Sequence, residues 1–174
     1  MKFRDLTEND IEVRVAQIGL QKGQTDVGWC QLLLYKNARV DMNILDETVG
    51  AENWQRKHYE VKGNLYCSVG INCNGEWVWK DDCGVESFSE KEKGEASDSF
   101  KRACVNWGIG RELYSAPNIK AFSIPVKTNA KGKLYADGEF FVEKIKIENK
   151  KITGLAIKFS NEKECRRVFV YMED

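Results

Sequence analysis

The chain has 174 residues, with 27 basic and 27 acidic side chains, so its formal net charge is zero. This length suits one domain, or one domain with a small extension, and 42% hydrophobic residues are enough to bury a core. No apolar run approaches the roughly 18 residues that cross a bilayer. The opening stretch, MKFRDLTEND, lacks the apolar segment of a signal peptide. We therefore expect a globular cytoplasmic protein without a membrane segment.

The positions of the charged residues and the cysteines limit which kinds of binding site we expect in the chain. Residues 1–115 contain 15 Lys/Arg and 19 Asp/Glu, whereas residues 116–174 contain 12 and 8. A nucleic-acid binder with no net charge must concentrate its cations in a groove, so the overall charge neither supports nor excludes such a partner. The six cysteines form no C-x-x-C pair and His58 is the single histidine. This pattern favours reduced, mostly buried thiols over a zinc site or disulfides.

Two helices are predicted in the first third of the chain. A capping-box pattern and apolar residues at helical spacing predict a first helix over residues 8–18. The residues that form this pattern are Thr7, Asp10, Ile11, Val15 and Ile18. After a loop and the apolar segment LLLY, Asn37 can cap a second helix over residues 38–49, which Gly50 can end.

An antiparallel sheet is predicted next. Residues 54–61 are strand-like and are followed by a turn at residues 62–64. Apolar residues then alternate strictly from Leu65 to Ile71, as in a half-buried strand. Asn74-Gly75 is a strong hairpin signal, and residues 77–83 return as a third strand. We expect a three-stranded antiparallel meander.

A third helix is predicted over residues 90–107. One narrow arc of this helix is apolar and can pack on the sheet. The arc consists of Ala96, Phe100, Ala103, Cys104 and Trp107. Gly108 and Gly110 can end the helix, and residues 112–114 can add one more turn.

The C-terminal part predicts a second meander. Three strand-like segments lie between residues 140 and 171, with turns near Asn149-Lys150 and Ser160-Asn161. The Lys-rich stretch 127–138 before them is expected to be a mobile loop. The fold class expected for the whole chain is α+β, with the first meander packed on a helix.

Catalytic chemistry finds little support in the sequence. The chain lacks a phosphate-binding loop of the G-x-x-x-x-G-K-[ST] type and a G-x-S-x-G elbow. Asp81 and Asp82 are adjacent on a strand, so they should point to opposite faces, and the acidic residues 90–95 lie where a helix dipole favours them. We expect no catalytic residues, no metal, no cofactor and no ATP use.

Some basic and aromatic residues are candidates for binding. Lys101 and Arg102 lie opposite the apolar arc of the third helix, where a solvated face with an Asp98–Arg102 pair is the simpler interpretation. Val105 lies on the same outward face, which suggests contact with a neighbouring subunit. Arg14 flanks the apolar stripe of the first predicted helix. Four aromatic residues could stack bases, although each alone is more often part of a core. They are Tyr35, Trp54, Trp77 and Trp79.

The order of these features resembles a known family. The run from VGAENW through the meander to SDSFKRACVNWGIGRELY is similar to single-strand annealing proteins of the Rad-fifty-two/Rad-twenty-two superfamily, above all the phage Sak type. The resemblance covers roughly residues 8–115. In the third helix the matching residues are Lys101, Arg102, Ala103, Trp107, Gly108 and Gly110. The sequence departs from the family at Val105, where a basic residue is common.

The resemblance implies that several residues bind DNA. Lys101 and Arg102 match phosphate-contacting positions, and Arg14 matches a groove arginine. Arg39 matches an Arg-Val step before the second helix, and Tyr35 matches an aromatic position if a gap is allowed. Lys57 completes the expected DNA-binding set.

The resemblance also implies a function. We expect single-stranded DNA binding without sequence specificity, and ATP-independent annealing of complementary strands in recombination and repair. The expected partners are single-stranded DNA, further copies of the chain in a ring or filament, and a phage exonuclease or a host single-stranded DNA-binding protein. The expected compartment is the cytoplasm of a bacterium that hosts a phage or prophage. Residues 1–115 would form the annealing core, and residues 116–174 a β-rich extension packed on it.

Three other functions remain open. A single-strand binder that serves replication without annealing would have the same groove. A protein–protein adaptor would use Val105 and the C-terminal meander. A metal-dependent nuclease would need converging carboxylates, which the spacing of the acidic residues does not predict.

Overall fold

A computed structural model of the chain describes residues 1–85 and 91–173, in which the protein is α+β with two α-helices and antiparallel strands. Contacts divide the chain into two compact units. One unit comprises Met1–Asp5 and Asn37–Arg111, and the other comprises Leu6–Lys36 and the chain from Glu112 onward. This grouping differs from the predicted division at residue 115, because the N-terminal hairpin groups with the C-terminal strands. The functional roles of the two predicted parts stay predictions.

The first unit begins with helix α1, Ala38–Val49. The Asn37 side chain caps it by accepting a hydrogen bond from the Arg39 N–H, and Gly50 ends it with a φ of 84° that a residue with a Cβ rarely adopts. The helix over residues 38–49 is therefore confirmed.

The predicted meander is confirmed as well. It consists of β3 (Trp54–Val61), β4 (Asn64–Cys73) and β5 (Glu76–Cys83), paired antiparallel in that order. Positive φ angles at Lys62-Gly63 and Asn74-Gly75 form the two tight turns that the sequence indicated.

Helix α2, Lys91–Trp107, covers one face of this sheet. Its predicted start at residue 90 lies outside the described residues. The core between helix and sheet is fully buried and contains Phe100, Ala103 and Cys104 from α2 and Cys67, Val69 and Ile71 from β4. A 3-10 helix, Arg111–Ser115, follows and supplies the additional turn predicted near residues 112–114.

The second unit is a seven-stranded antiparallel sheet. Its strands are β1 (Glu12–Leu20), β2 (Val27–Tyr35), β6 (Ile119–Thr128), β7 (Leu134–Ala136), β8 (Glu139–Glu148), β9 (Lys151–Ser160) and β10 (Cys165–Met172). They lie in the order β10-β9-β8-β1-β2-β6-β7. The sheet is curved. The Arg166 guanidinium on β10 donates a hydrogen bond to the Ser123 carbonyl on β6, although these strands are not neighbours in the sheet. The predicted C-terminal meander is β8–β10, with its turns where the sequence placed them.

Two predictions in this unit are wrong. The helix over residues 8–18 is instead a single 3-10 turn, Glu8–Asp10, followed by strand β1. The Asp10 carboxylate does accept hydrogen bonds from Thr7 at 2.8 and 2.9 Å, but apolar residues at 11, 13 and 15 also fit a strand, and pairing with β2 decides the outcome. The predicted loop 127–138 contains β7, which pairs with the end of β6.

Candidate nucleic-acid interface

Lys101 and Arg102 are half-buried on α2 and diverge from each other. The Arg102 Nε lies 3.2 Å from Asp82 Oδ1 on β5, so the guanidinium bridges the helix to the edge of the sheet. The Lys101 ammonium makes no ion pair with any residue that the structure describes. The Asp98 carboxylate accepts a hydrogen bond from the Val85 N–H at 3.0 Å. Lys101 is thus more available than Arg102 to bind a DNA phosphate. Arg102 would have to exchange the Asp82 carboxylate for a phosphate.

Arg39 and Lys57 belong to the same compact unit. Arg39 lies exposed in the first turn of α1. Lys57 lies on β3 and directs its ammonium over the ring of Trp79, 4.3 Å from the ring centroid. This places a predicted DNA-binding cation beside a predicted base-stacking ring.

Arg14 and Tyr35 lie on the β1–β2 hairpin of the other unit. Tyr35 pairs with Glu12 across the hairpin and donates a hydrogen bond from its hydroxyl to Glu12 Oε2 at 2.5 Å. This hydrogen bond raises the pKa of Tyr35. Because Arg14 is two residues from Glu12 on one strand, Arg14 and Tyr35 share a face of the hairpin. The structure therefore brings these two predicted residues together, in a unit separate from the other four.

The face of the three-stranded sheet that α2 leaves uncovered is aromatic. Strand alternation and register place Lys57, Tyr59, Tyr66, Trp77, Trp79 and Asp81 on this side, which we call the aromatic face. Tyr59 and Tyr66 stack with centroids 5.6 Å apart and planes at 18°. Trp77 and Trp79 lie 6.2 Å apart with planes at 31°.

Polar contacts fix the centre of the aromatic face. The Asp81 carboxylate accepts hydrogen bonds from the Tyr59 hydroxyl at 2.7 Å and the Ser68 hydroxyl at 2.6 Å. The hydrogen bond to Asp81 raises the pKa of Tyr59 to about 12, so the phenol stays protonated at neutral pH. Gly70 forms the floor under Trp79, because a Cβ there would lie 2.8 Å from the indole ring.

The sequence identified only part of this surface. Trp77 and Trp79 were candidates, whereas Tyr59 and Tyr66 were missed, although strand alternation and cross-strand pairing would have placed them beside the tryptophans. Trp54 lies on the opposite face, where it stacks on Phe100 with centroids 6.1 Å apart. Trp54 therefore packs in the core between α2 and the sheet and does not belong to the aromatic face.

Possible metal ligands, thiols and membrane-spanning helices can be examined within the described part of the chain. It contains no group of three His, Cys, Asp or Glu residues placed to hold a metal ion. The six cysteines are free thiols, and burial raises the pKa of Cys30 and Cys67 to about 11. Within those same residues, no helix combines the length and apolar character that spanning a bilayer requires.

Comparison with known proteins adds no identification. The sequence matches no protein-family model and has no significant match among curated proteins.

Proposed function

We propose that the protein binds single-stranded DNA without sequence specificity and anneals complementary strands without ATP, in phage-directed recombination and repair in a bacterial cytoplasm. The observation that supports this most is the packing of α2 on the β3–β5 meander. This helix contains Lys101-Arg102-Ala103 and ends at Trp107, which Gly108 follows, and the resemblance implies the same order of elements.

The helix–sheet packing presents cations on a rigid support. Trp107 donates its indole N–H to the Val69 carbonyl at 3.0 Å, and the Lys80 ammonium lies 4.5 Å from the Trp107 ring centroid. These contacts fix the C-terminal end of α2 on the sheet. The proposed DNA-binding residues are Lys101, Arg102, Arg39 and Lys57 in this unit, and Arg14 and Tyr35 on the hairpin.

Phosphate contacts suit a protein that must pair any two strands, since they do not depend on base sequence. A ring or filament would repeat a few cations many times and form a positive track despite a net charge of zero. Strand pairing releases the free energy itself, so no nucleotide hydrolysis is needed. A phage exonuclease or a host single-stranded DNA-binding protein would supply or occupy the strands.

The test is annealing of two complementary oligonucleotides in the presence of a chelator and without ATP. We expect the protein to accelerate duplex formation over the protein-free rate, and non-complementary strands to stay single. Binding of either strand without acceleration would support a replication accessory protein instead. Failure to bind either strand would contradict both functions.

A further inference from the structure

We propose that the aromatic face is a second DNA surface, on which Trp77 and Tyr59 stack bases of single-stranded DNA. This inference rests on the proposed function, because it names how the same ligand would be held away from α2. The aromatic face would contact the bases of the strand, whereas the cations of α2 would contact its phosphates.

Exposure is the first argument. Trp77 and Tyr59 are each 38% exposed, although both lie on strands that are paired with β4. The other face of the same sheet buries Cys67, Val69 and Ile71 completely under α2. Large rings on an open sheet face are typical of a surface that meets a planar or apolar partner.

Ring geometry is the second argument. The two ring pairs spread over all three strands, so the aromatic face is a broad platform and not a single exposed side chain. The hydrogen bonds of Asp81 and the close fit of Trp79 over Gly70 hold the rings in place before a ligand arrives. A base stacked flat on such a ring keeps its pairing edge free, because its hydrogen-bonding groups lie in the plane of the base. Stacking is therefore compatible with annealing.

Charge is the third argument and favours a nucleic-acid strand over a second copy of this sheet. Lys57 and Asp81 are the charged side chains of the aromatic face. Both oxygens of Asp81 already accept hydrogen bonds from hydroxyl groups. The Lys57 ammonium lies over the Trp79 ring, beside Trp77, where it can meet the phosphate that follows a base stacked on Trp77.

The experiment compares two probes of equal length: oligothymidylate, and an abasic oligomer with the same phosphates. The variant is Trp77→Ala. Its matched control is Val78→Ala, since Val78 is 37% exposed on the same strand but faces the other way. Trp77→Phe keeps a ring and should restore binding, which separates stacking from a structural role. Thermal melts establish that each variant is folded.

We expect wild-type protein to bind oligothymidylate more tightly than the abasic oligomer. Trp77→Ala should weaken oligothymidylate binding by about 5- to 150-fold, the range found for removal of a stacking ring, and should leave abasic binding unchanged. Val78→Ala and Trp77→Phe should bind like wild type.

Equal wild-type affinity for the two probes, or an unchanged affinity in Trp77→Ala, would overturn the stacking surface while leaving the proposed function intact. Failure of wild-type protein to bind either probe would overturn both. A fall in particle mass in Trp77→Ala, with unchanged binding per subunit, would assign the aromatic face to contacts between copies and refute stacking.

Discussion

Asp81 and Asp82 are neighbours in sequence but lie on opposite faces of the β3–β5 sheet and bind different partners. Asp82 pairs with Arg102 on the helix side, whereas Asp81 accepts hydrogen bonds from Tyr59 and Ser68 on the aromatic face. The alternation of a strand thus divides one acidic pair between two surfaces that we propose to bind DNA. One aspartate restrains a cation, and the other positions a ring.

Lys101→Ala should weaken single-stranded DNA binding and lower the salt dependence of binding. Each phosphate contact on a single strand contributes a log–log slope of about −0.7, so losing one contact should reduce the slope by that amount. The side chain is off the buried arc, and stability should change by only about 0.5 kcal/mol. Titrations at several salt concentrations and thermal melts measure both effects. Lys131→Ala, in the exposed β6–β7 turn, controls for loss of a positive charge.

Arg102→Ala should also weaken DNA binding, with a small additional cost in stability because it removes the ion pair with Asp82. Surface pairs of this kind contribute about 0–1 kcal/mol. Asp82→Asn, which removes the negative charge beside the guanidinium, should strengthen DNA binding. If Arg102→Ala and Asp82→Asn lower stability equally and leave binding unchanged, Arg102 is a structural residue only.

Phe100→Ala should have the opposite profile and destabilise the protein by about 3–5 kcal/mol through a core cavity. Phe100 is fully buried and stacks on Trp54, and its ring centroid lies 4.7 Å from the Arg56 guanidinium carbon. Denaturant unfolding measures the free-energy change. Phe122→Ala is the control, since Phe122 is 56% exposed on β6 and its loss should matter little. Equal effects of the two substitutions would contradict the packing of α2 on the sheet.

The sequence predicted those elements whose local signals agree with their tertiary setting. Asn37, Gly50 and Asn74-Gly75 determine backbone geometry by themselves, so α1 and the meander could be predicted almost to the residue. The region after Thr7 could not, because its apolar residues fit both a helix and a strand and the choice depends on pairing with the distant residues of β2.

The candidate nucleic-acid interface could also be predicted only in part, for the same reason. The faces of Trp77 and Trp79 followed from strand alternation. The ring partners Tyr59 and Tyr66 depend on the register of β3 with β4, and the pairing of Arg102 with Asp82 depends on how α2 crosses β5. Register and crossing geometry are tertiary properties that spacing along one segment does not determine.

Glu143→Gln should remove a pH-dependent part of the stability. Hydrogen bonds from Arg167 at 2.6 Å and Lys158 at 3.0 Å lower the pKa of Glu143 from 4.5 to about 2. A carboxylate with a lowered pKa stabilises the folded state fully above pH 4.5, and this contribution is lost as the pH falls through about 2. The wild type should therefore be more stable than Glu143→Gln at neutral pH, and the difference should shrink between pH 4.5 and 2.

Denaturant midpoints of both proteins across that pH range provide the measurement. Glu162→Gln, in the exposed turn after β9, controls for loss of a carboxylate. A stability difference that stays constant with pH would show that the contacts of Glu143 with Arg167 and Lys158 do not hold its charge in solution.

The protein should form a closed or helical homo-oligomer. The two outer strands of the meander, β3 and β5, each have one edge without a strand partner among the described residues, and such edges invite pairing between chains. Val105 adds an apolar side chain to the outward face of α2, and zero net charge removes long-range repulsion between copies.

Light scattering at micromolar concentration should report a mass far above the 20.0 kDa of one chain. Val105→Asp should lower that mass, whereas Val105→Ile should keep it. Contacts of this head-to-tail kind close into rings or continue as filaments, which electron microscopy of the wild type would distinguish. A monodisperse monomer, both alone and with single-stranded DNA, would refute the assembly and with it an annealing mechanism that depends on a continuous track of cations.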